Sequence, residues 1–394
     1  MSAQLTIYVL CLLTVLSQAS AQGTPNFEKL LDIIFAGNTT VNVKPNTPPI
    51  SPIGTSPPIG KTCGFGKECV PRKLCNDDGT VNRFGTFMLN LRIDGPCAYL
   101  ETCCDVSEKL PEPKPVNVTS SGCGYRNFNG VSFKISGAQN SEAEFAEFPW
   151  MVAIYTVDGA KTIYKCGGSI IAPNVVLTAA HCVWDAQPGL LVARAGEWDL
   201  ETTQEPLLHQ DAHVSEIIRH EKFNSNTIFN DIAILILTTP YTWSPNVQPI
   251  CLPDEGVSFD GYRCYAAGWG KDKFGKEGAY QHILKKIDLP VVPHAKCQEN
   301  LRATRLSRYF QLDKSFMCAG GEADKDTCKG DGGSPLMCPD LNNPGRYLQA
   351  GVVSWGIECG VENIPGVYAD VPSLRKWIDE KLTAKGIDTK YYTT

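Results

Sequence analysis

Three short segments carry residues that could do acyl-transfer chemistry together. They are LTAAHC at 177–182, NDIAIL at 230–235 and CKGDGGSP at 328–335. Such chemistry needs a hydroxyl that attacks, an imidazole that takes its proton and a carboxylate that orients the imidazole. His181 and Asp231 supply the imidazole and the carboxylate, whereas the only hydroxyl of the third segment belongs to Ser334. The segments are far apart in sequence, so the fold must bring them together.

The chain begins with a segment typical of a secretory signal peptide, predicted over residues 1–21. Its apolar run from Leu5 to Leu16 is shorter than the about 20 residues that cross a bilayer, and Ala19-Ser20-Ala21 follows it. No later segment is apolar enough to span a membrane. The net charge of −6 and the absence of a Lys/Arg run argue against a nucleic-acid partner.

Cysteines define a small module ahead of the main domain. The chain has 17 cysteines, and loss of Cys11 with the signal peptide leaves 17 − 1 = 16, which favours complete pairing in a secreted protein. Six of them fall within residues 63–104, a region too short to build a stable core without such bonds. Spacing alone does not decide how these six pair.

Two regions rich in proline, serine and threonine are predicted to be extended linkers. Residues 22–62 form an N-terminal arm and linker, and residues 105–134 form a second linker. Asn38 and Asn117 begin glycosylation sequons there, where a glycan would be exposed.

Residues 135–394 read as one mainly β domain. Short apolar runs such as DIAILIL and LQAGVVSWG are bounded by Gly, Pro and Asn, which is the pattern of β-strands and turns. One helix is predicted near the end, over PSLRKWIDEKL, with Ser373 as its cap. Its apolar face consists of Leu374, Trp377, Ile378 and Leu382.

The order of these motifs resembles a chymotrypsin-like serine protease domain. The His, Asp and nucleophile-loop segments occur in that order, with CYAAGWG at 264–270 between the last two and VSWG at 353–356 after them. The six-cysteine region resembles a clip domain, a module found ahead of such proteases in arthropods. The whole chain therefore resembles a clip-domain serine protease homologue, which implies a chymotrypsin-like double β-barrel preceded by a small disulfide-rich clip domain.

The resemblance also implies a partner for every mature cysteine. The implied pairs are Cys63–Cys103, Cys69–Cys97, Cys75–Cys104, Cys123–Cys251, Cys166–Cys182, Cys264–Cys338, Cys297–Cys318 and Cys328–Cys359. The first three lie in the clip domain, and Cys123–Cys251 would tether the segment before the main domain to its body.

The resemblance places the nucleophile at Gly332, which has no side chain. Loss of the serine from such a triad costs on the order of 10⁶ in turnover, so we expect no peptidase activity. Ser334 is the rival nucleophile, but its Cα would lie about 6–7 Å further along an extended backbone. A serine in place of a family glycine also threatens any positive φ that the loop needs. His181 and Asp231 are then read as a structural hydrogen-bonded pair, in preference to an active one.

Substrate-pocket residues are better preserved than the nucleophile. Asp326 falls where trypsin-like pockets accept Lys or Arg, and Gly356 and Gly366 fall on the pocket walls. The alternative is an inherited, unused pocket. The resemblance also implies proteolytic cutting, for which Lys134–Ile135 and the bond after Arg83 are the candidates.

An acidic segment, GEWDLETTQEP at 196–206, lies where the family often binds calcium. Its carboxylates would suit a hard cation, and the alternative is a solvated acidic loop. They belong to Glu197, Asp199, Glu201 and Glu205.

Three functions follow from these features. The resemblance implies a secreted, inactive haemolymph cofactor that assists prophenoloxidase activation (melanization), with prophenoloxidase and an activating clip protease as partners and homo-oligomers after cleavage. The alternatives are an adhesion protein or regulatory decoy, and an active trypsin-like protease.

Overall fold

The computed structural model describes most of the region from Thr62 to Thr394. The described residues are 62–71, 75, 87–90, 96–97, 100–106, 122–131, 133–136, 141–159, 161–203, 205–270, 281–323, 331–357 and 360–394. Several predicted features lie outside them: the signal peptide, the N-terminal arm, Asn38, Asn117, Arg83, Asp326 and the Cys328–Cys359 pair.

A three-stranded antiparallel sheet forms the clip region. Its strands are β1 (Thr62–Gly64), β2 (Lys67–Pro71) and β4 (Glu101–Asp105), in the order β1-β2-β4. Disulfides join Cys63 to Cys103, Cys69 to Cys97 and Cys75 to Cys104. Among the described residues of this region, Val70, Cys75 and Cys104 form a small buried apolar cluster. So small a core explains why the module needs covalent bonds.

A separate two-stranded sheet joins the clip region to the segment before the main domain. Strand β3 (Phe87–Asn90) pairs in parallel with β5 (Phe133–Ser136).

Two closed six-stranded barrels form the main domain. The first has the strand order β10-β11-β8-β7-β6-β9. Its strands are β6 (Met151–Asp158), β7 (Lys161–Ala172), β8 (Val175–Thr178), β9 (Leu191–Ala195), β10 (Gln210–Arg219) and β11 (Ala233–Leu237). Closure leaves no exposed edge, and β-branched and aromatic side chains fill the interior.

The second barrel has the strand order β12-β13-β14-β17-β16-β15. Its strands are β12 (Arg263–Gly268), β13 (Lys285–Val292), β14 (Phe316–Gly320), β15 (Pro335–Pro339), β16 (Tyr347–Trp355) and β17 (Pro365–Asp370). All pairings within both barrels are antiparallel. The predicted chymotrypsin-like, mainly β fold is therefore confirmed.

Helices cover little of the domain. Those within the described residues are α1 (Ala180–Val183), α2 (His294–Arg302) and α3 (Val371–Ala384), with 3₁₀ turns at Pro188–Leu190 and Thr389–Tyr391. The apolar face predicted for α3 is buried, but Ser373 as its cap was wrong. Asp370 occupies the cap position, and the Ser373 hydroxyl donates instead to the Asp370 carbonyl at 2.8 Å. Among the described residues, no helix has the length and apolar character needed to cross a bilayer.

The segment before the first barrel is fastened to the body of the domain. Cys123 is bonded to Cys251, and the Gly124 amide donates to the Pro249 carbonyl at 2.8 Å. The guanidinium of Arg126 bonds the fully buried carboxylate of Glu147, to which the Lys286 ammonium also donates at 2.7 Å. This buried charge has two cationic partners, so loss of either cation would be costly.

Candidate functional site

The first barrel positions His181 and Asp231 at the face that meets the second barrel. His181 lies on α1, directly after β8, and Asp231 lies just before β11. Because β8 and β11 are paired neighbours, the two residues come together across that pair. The Asp231 carboxylate accepts from the His181 backbone amide at 2.8 Å and contacts Nδ1 of its ring at 2.6 Å.

The second barrel adds a third partner to this carboxylate. Ser354, on β16, donates its hydroxyl to Oδ2 of Asp231. Asp231 is fully buried, and besides the His181 ring it has two donors, the His181 backbone amide and the Ser354 hydroxyl. Sequence reasoning did not assign this role to Ser354, although the VSWG motif that contains it was recognised. A buried carboxylate needs hydrogen-bond donors, so these contacts stabilise the folded domain whether or not the site catalyses a reaction.

Gly332 lies directly under the imidazole of His181. A Cβ built on Gly332 would be 2.8 Å from Nε2 of His181. A serine side chain at this position would therefore start beside the base, where a triad needs its hydroxyl. With glycine there, the acid–base pair faces a nucleophile loop that has no hydroxyl at this position.

Ser334 does not replace the missing group. It is fully buried, and its Oγ has no hydrogen-bond partner among the described residues. Its side chain is pressed against Gly167 of β7, where an added Cβ would be 2.0 Å from the Ser334 Oγ. The Ser334 hydroxyl therefore lies between Gly167 of the first barrel and Gly268 of the second, and it makes no hydrogen bond with the His181 ring.

The backbone of this loop is held by the first barrel. The Gly167 amide donates to the Gly332 carbonyl at 2.9 Å, and the Ser334 amide donates to the Asp331 carbonyl at 3.0 Å. The positive φ that the loop requires is at Gly333, with φ of 82°, and not at Ser334. The concern that Ser334 would strain the loop was therefore wrong.

The carboxylate of Asp331 is directed toward strand β12 and the residues that follow it. The Gly270 amide donates to Oδ1 of Asp331 at 2.9 Å. A Cβ on Gly268 would be 2.1 Å from the same oxygen, so a glycine is needed for this close approach.

Comparison with known proteins agrees with this architecture. The family described as Trypsin matches residues 137–378, which is more than half of the chain. The family described as "Serine protease Clip domain PPAF-2" matches residues 56–105. The chain belongs to the clip-domain serine protease homologues.

Curated relatives include proteins with both modules. This chain is 52% identical over 293 residues to "Phenoloxidase-activating factor 2" of Galleria mellonella, and the match covers 72% of this chain and 96% of that protein. It is 36% identical over 356 residues to "Inactive CLIP domain-containing serine protease A28" of Anopheles gambiae, covering 83% and 91%. It is 44% identical over 342 residues to "Inactive CLIP domain-containing serine protease A3" of Aedes aegypti, covering 83% and 68%.

The pocket of the homologue is described only in part. Gly366 lies within β17, opposite Ala319 of β14, and Gly356 directly follows β16. The indole of Trp355 is packed edge-on against Phe316, with ring centroids 5.9 Å apart. Asp326 lies outside the described residues, so the charge of the pocket stays a prediction.

One disulfide of the main domain lies beside the His181 imidazole, with the Cys182 sulfur 3.5 Å from Nε2. Four lie within the described residues: Cys123–Cys251, Cys166–Cys182, Cys264–Cys338 and Cys297–Cys318. These are pairs that the family resemblance implies. The Cys166–Cys182 bond adjoins His181, so the two sulfurs beside that imidazole are oxidised and offer no thiolate to a metal.

The acidic segment separates into a buried cluster and an exposed arm. Glu197, Glu205 and His209 bring ligand atoms within 4.8 Å of one another. Asp199 is buried but accepts from the Glu201 amide at 3.0 Å, whereas the Glu201 side chain is 69% exposed. Of the four predicted carboxylates, two therefore share one site, and His209 was not anticipated.

Burial dominates the electrostatics of this cluster. Desolvation, with the neighbouring charge of Glu197, raises the pKa of Glu205 well above its usual value. One Glu205 carboxylate oxygen, Oε2, has no hydrogen-bond partner among the described residues. Arg194 donates to Glu197 at 3.1 Å but is also bonded to Asp211. The cluster therefore has more negative than positive charge unless a proton or a cation joins it.

Proposed function

We propose that this protein is a secreted, catalytically inactive cofactor that assists prophenoloxidase activation in an arthropod immune cascade. The observation that carries the proposal is Gly332, which places no hydroxyl beneath a His181–Asp231 pair that is otherwise assembled. The similarity to a protein named phenoloxidase-activating factor and to others named inactive supports the same function.

The partners under this proposal are prophenoloxidase and an activating clip protease. A protein without a nucleophile acts through binding, so its effect must come from holding those two proteins together or from changing their conformations. Cleavage after Arg83 or Lys134 would then rearrange binding surface, and homo-oligomers would form from the cut chain.

Two measurements test the proposal. Purified protein, intact and cut with trypsin, is treated with a fluorophosphonate probe, and we expect no covalent label. Prophenoloxidase and its activating protease are then combined with and without this protein, and we expect more phenoloxidase activity when it is present.

The contradicting outcomes differ from one another. A label on Ser334 would show an active enzyme. Lower phenoloxidase activity in its presence would show a decoy that regulates proteolysis. No change in activity, combined with binding to cell surfaces, would favour an adhesion protein.

We also propose that Glu197 and Glu205 hold a calcium ion. Two buried carboxylates with an unpartnered oxygen are the chemistry that a hard cation recognises, and backbone carbonyls commonly complete such sites. We expect about 5 mM CaCl₂ to raise the Tm relative to EDTA, since extracellular calcium modules bind in the millimolar range. The Glu205→Gln variant should lose that increase, and an equal increase in the variant would contradict the site.

A further inference from the structure

A strand from the clip region covers the bond at which the chain is expected to be cut. In the parallel pair of β3 and β5, Met88 lies opposite Lys134 and Leu89 lies opposite Ile135. The Lys134–Ile135 peptide bond is therefore in the middle of a four-residue ladder. We refer to β3 (Phe87–Asn90) as the latch strand.

Both strands of this pair are anchored to other parts of the molecule. The latch strand lies between Cys75 and Cys97, which are bonded to Cys104 and Cys69. Strand β5 lies between Val131, whose amide donates to the Phe145 carbonyl at 2.9 Å, and Ser141, whose carbonyl accepts from the Lys286 amide at 2.6 Å. The pairing thus joins two loops that are each fixed at both ends.

Covalent anchors lower the entropy cost of forming this short ladder. Four parallel pairs would be marginal between separate chains. Here the entropy of bringing the two strands together has already been reduced by the disulfides and by the fixed ends of both loops. The pair therefore needs little intrinsic stability to be formed most of the time.

A ladder of this kind opposes proteolysis at the bond it contains. A trypsin-like enzyme binds its substrate as an extended segment whose backbone groups pair with the enzyme. The backbone of β5 is already paired with the latch strand, so it must separate from that strand before it can enter a protease cleft. The cutting rate then follows the fraction of molecules in which the pair has opened.

We propose that the latch strand protects Lys134–Ile135 until the clip loop has been cut, so that the two cleavages occur in a fixed order. Arg83 precedes the latch strand by four residues and Arg92 follows it by two. A cut at either bond leaves the latch strand held at one end only. The disulfides of Cys75 and Cys97 keep both pieces attached, so the cut loosens the pair without releasing the clip region.

The biological role of this cleavage order rests on the cofactor function proposed above. The test of the order does not involve prophenoloxidase. Limited trypsin digestion is followed by mass spectrometry, with quantification of new N-termini at early times. In the unaltered chain we expect cleavage after Arg83 or Arg92 to precede the appearance of Ile135 as an N-terminus. A new N-terminus at Ile135 in chains whose clip loop is still whole would overturn the inference.

Proline variants test the ladder directly. The parent for this test is Arg83→Ala with Arg92→Ala, in which the clip loop is not cut. Successive residues of a parallel strand direct their amides to opposite sides, so both Met88→Pro and Leu89→Pro are added separately to that parent. We expect at least one of them to speed cleavage at Lys134–Ile135 by about tenfold or more, and Thr80→Pro, in the same loop outside the latch strand, to change it less than about twofold. Equal rates in all four proteins would contradict the proposal.

A second readout covers the case in which the proline variants do not fold. Lys134→Ala is cut in the clip loop, and amide hydrogen exchange of residues 133–136 is measured before and after the cut. We expect exchange to become about tenfold faster or more, because the ladder opens more often. An unchanged exchange rate would contradict the latch proposal even if the cofactor function were confirmed. Conversely, failure of the cofactor test would not affect the conclusion drawn from hydrogen exchange.

Discussion

The first barrel supplies His181 and Asp231 to the cleft, and the second barrel supplies Gly332 and Ser334. The first pair is joined by two contacts of 2.6 and 2.8 Å, whereas Ser334 has a buried hydroxyl without a partner among the described residues. The two sides of one cleft have thus kept their chemistry to very different degrees.

Burial explains the difference. Asp231 is fully buried, and removal of any of its donors leaves a polar group without a partner, which costs stability. Gly332 carries no polar side chain, and its backbone is held by the Gly167 amide whatever its side chain. Loss of the nucleophile side chain therefore leaves no polar group without a partner, whereas loss of the Asp231 carboxylate would leave two donors without their acceptor.

The largest expected effect is recovery of catalysis in the double variant Gly332→Ser with Ser334→Gly. The new side chain would start 2.8 Å from Nε2 of His181, so the imidazole must shift by a few tenths of an ångström. After cleavage at Lys134, we expect kcat/KM on a Lys- or Arg-containing peptide to rise at least about 10³-fold over the parent protein, part of the 10⁶ that such a serine contributes.

The control for that recovery is His181→Ala added to the double variant, which should return the rate to background. If the double variant takes no fluorophosphonate label, the first barrel's side of the cleft is also defective, and the comparison between the two sides fails.

A smaller effect is expected from Asp231→Ala. The His181 amide and the Ser354 hydroxyl would lose their acceptor inside the protein, so we expect the free energy of unfolding to fall by about 3 kcal/mol. Urea denaturation measures it. Asp254, whose side chain is 81% exposed, provides the matched Asp254→Ala control, with an expected change below about 0.5 kcal/mol. Equal effects in the two variants would show that the pair is not structural.

A second aspartate, Asp370, tests what burial costs a carboxylate in this domain. Burial, with a contribution from Asp260, raises the pKa of Asp370 to about 6. In the unfolded chain this carboxyl ionises at a lower pH than in the folded protein. The free energy of unfolding therefore falls by about 2 kcal/mol as the pH rises from about 4 to about 6. We therefore expect Asp370→Asn to raise the Tm at about pH 7 and to leave it nearly unchanged at about pH 4. An equal Tm change at both values would contradict the burial argument.

The smallest expected effects come from two serines of the second barrel. Ser354→Ala removes a donor to Asp231 and should destabilise the protein by about 1–2 kcal/mol. Ser334→Ala removes a buried hydroxyl without a partner and should be neutral or stabilising by up to about 1 kcal/mol. Denaturation midpoints at constant m-value would measure both. The opposite order of stabilities would show that Ser334 is bonded and Ser354 is dispensable.

Local signals in the chain predicted the fold and the cleft well. Cysteines, turn residues and apolar runs indicated a disulfide-rich module ahead of a mainly β domain, and the family resemblance implied that His181 and Asp231 lie together. Helix α2 was not anticipated, because HAKCQENLR is mostly polar and buries only Cys297 and Leu301. The cap of α3 was misassigned because Asp370 and Ser373 are both good cap residues, and only the helix start decides between them.

The sequence by itself determined that residue 332 has no nucleophile, because that depends on residue identity alone. It also determined the order of the motifs and the number of cysteines. Only the tertiary structure decided that the Ser334 hydroxyl makes no bond to His181, that Ser354 donates to Asp231, and that Glu205 meets His209 while Glu201 does not. The pairing of the latch strand with residues 133–136 belongs to the same group. Each of these depends on which segments the barrels and disulfides bring within a few ångströms, and residues distant in the chain carry no local signal of that approach.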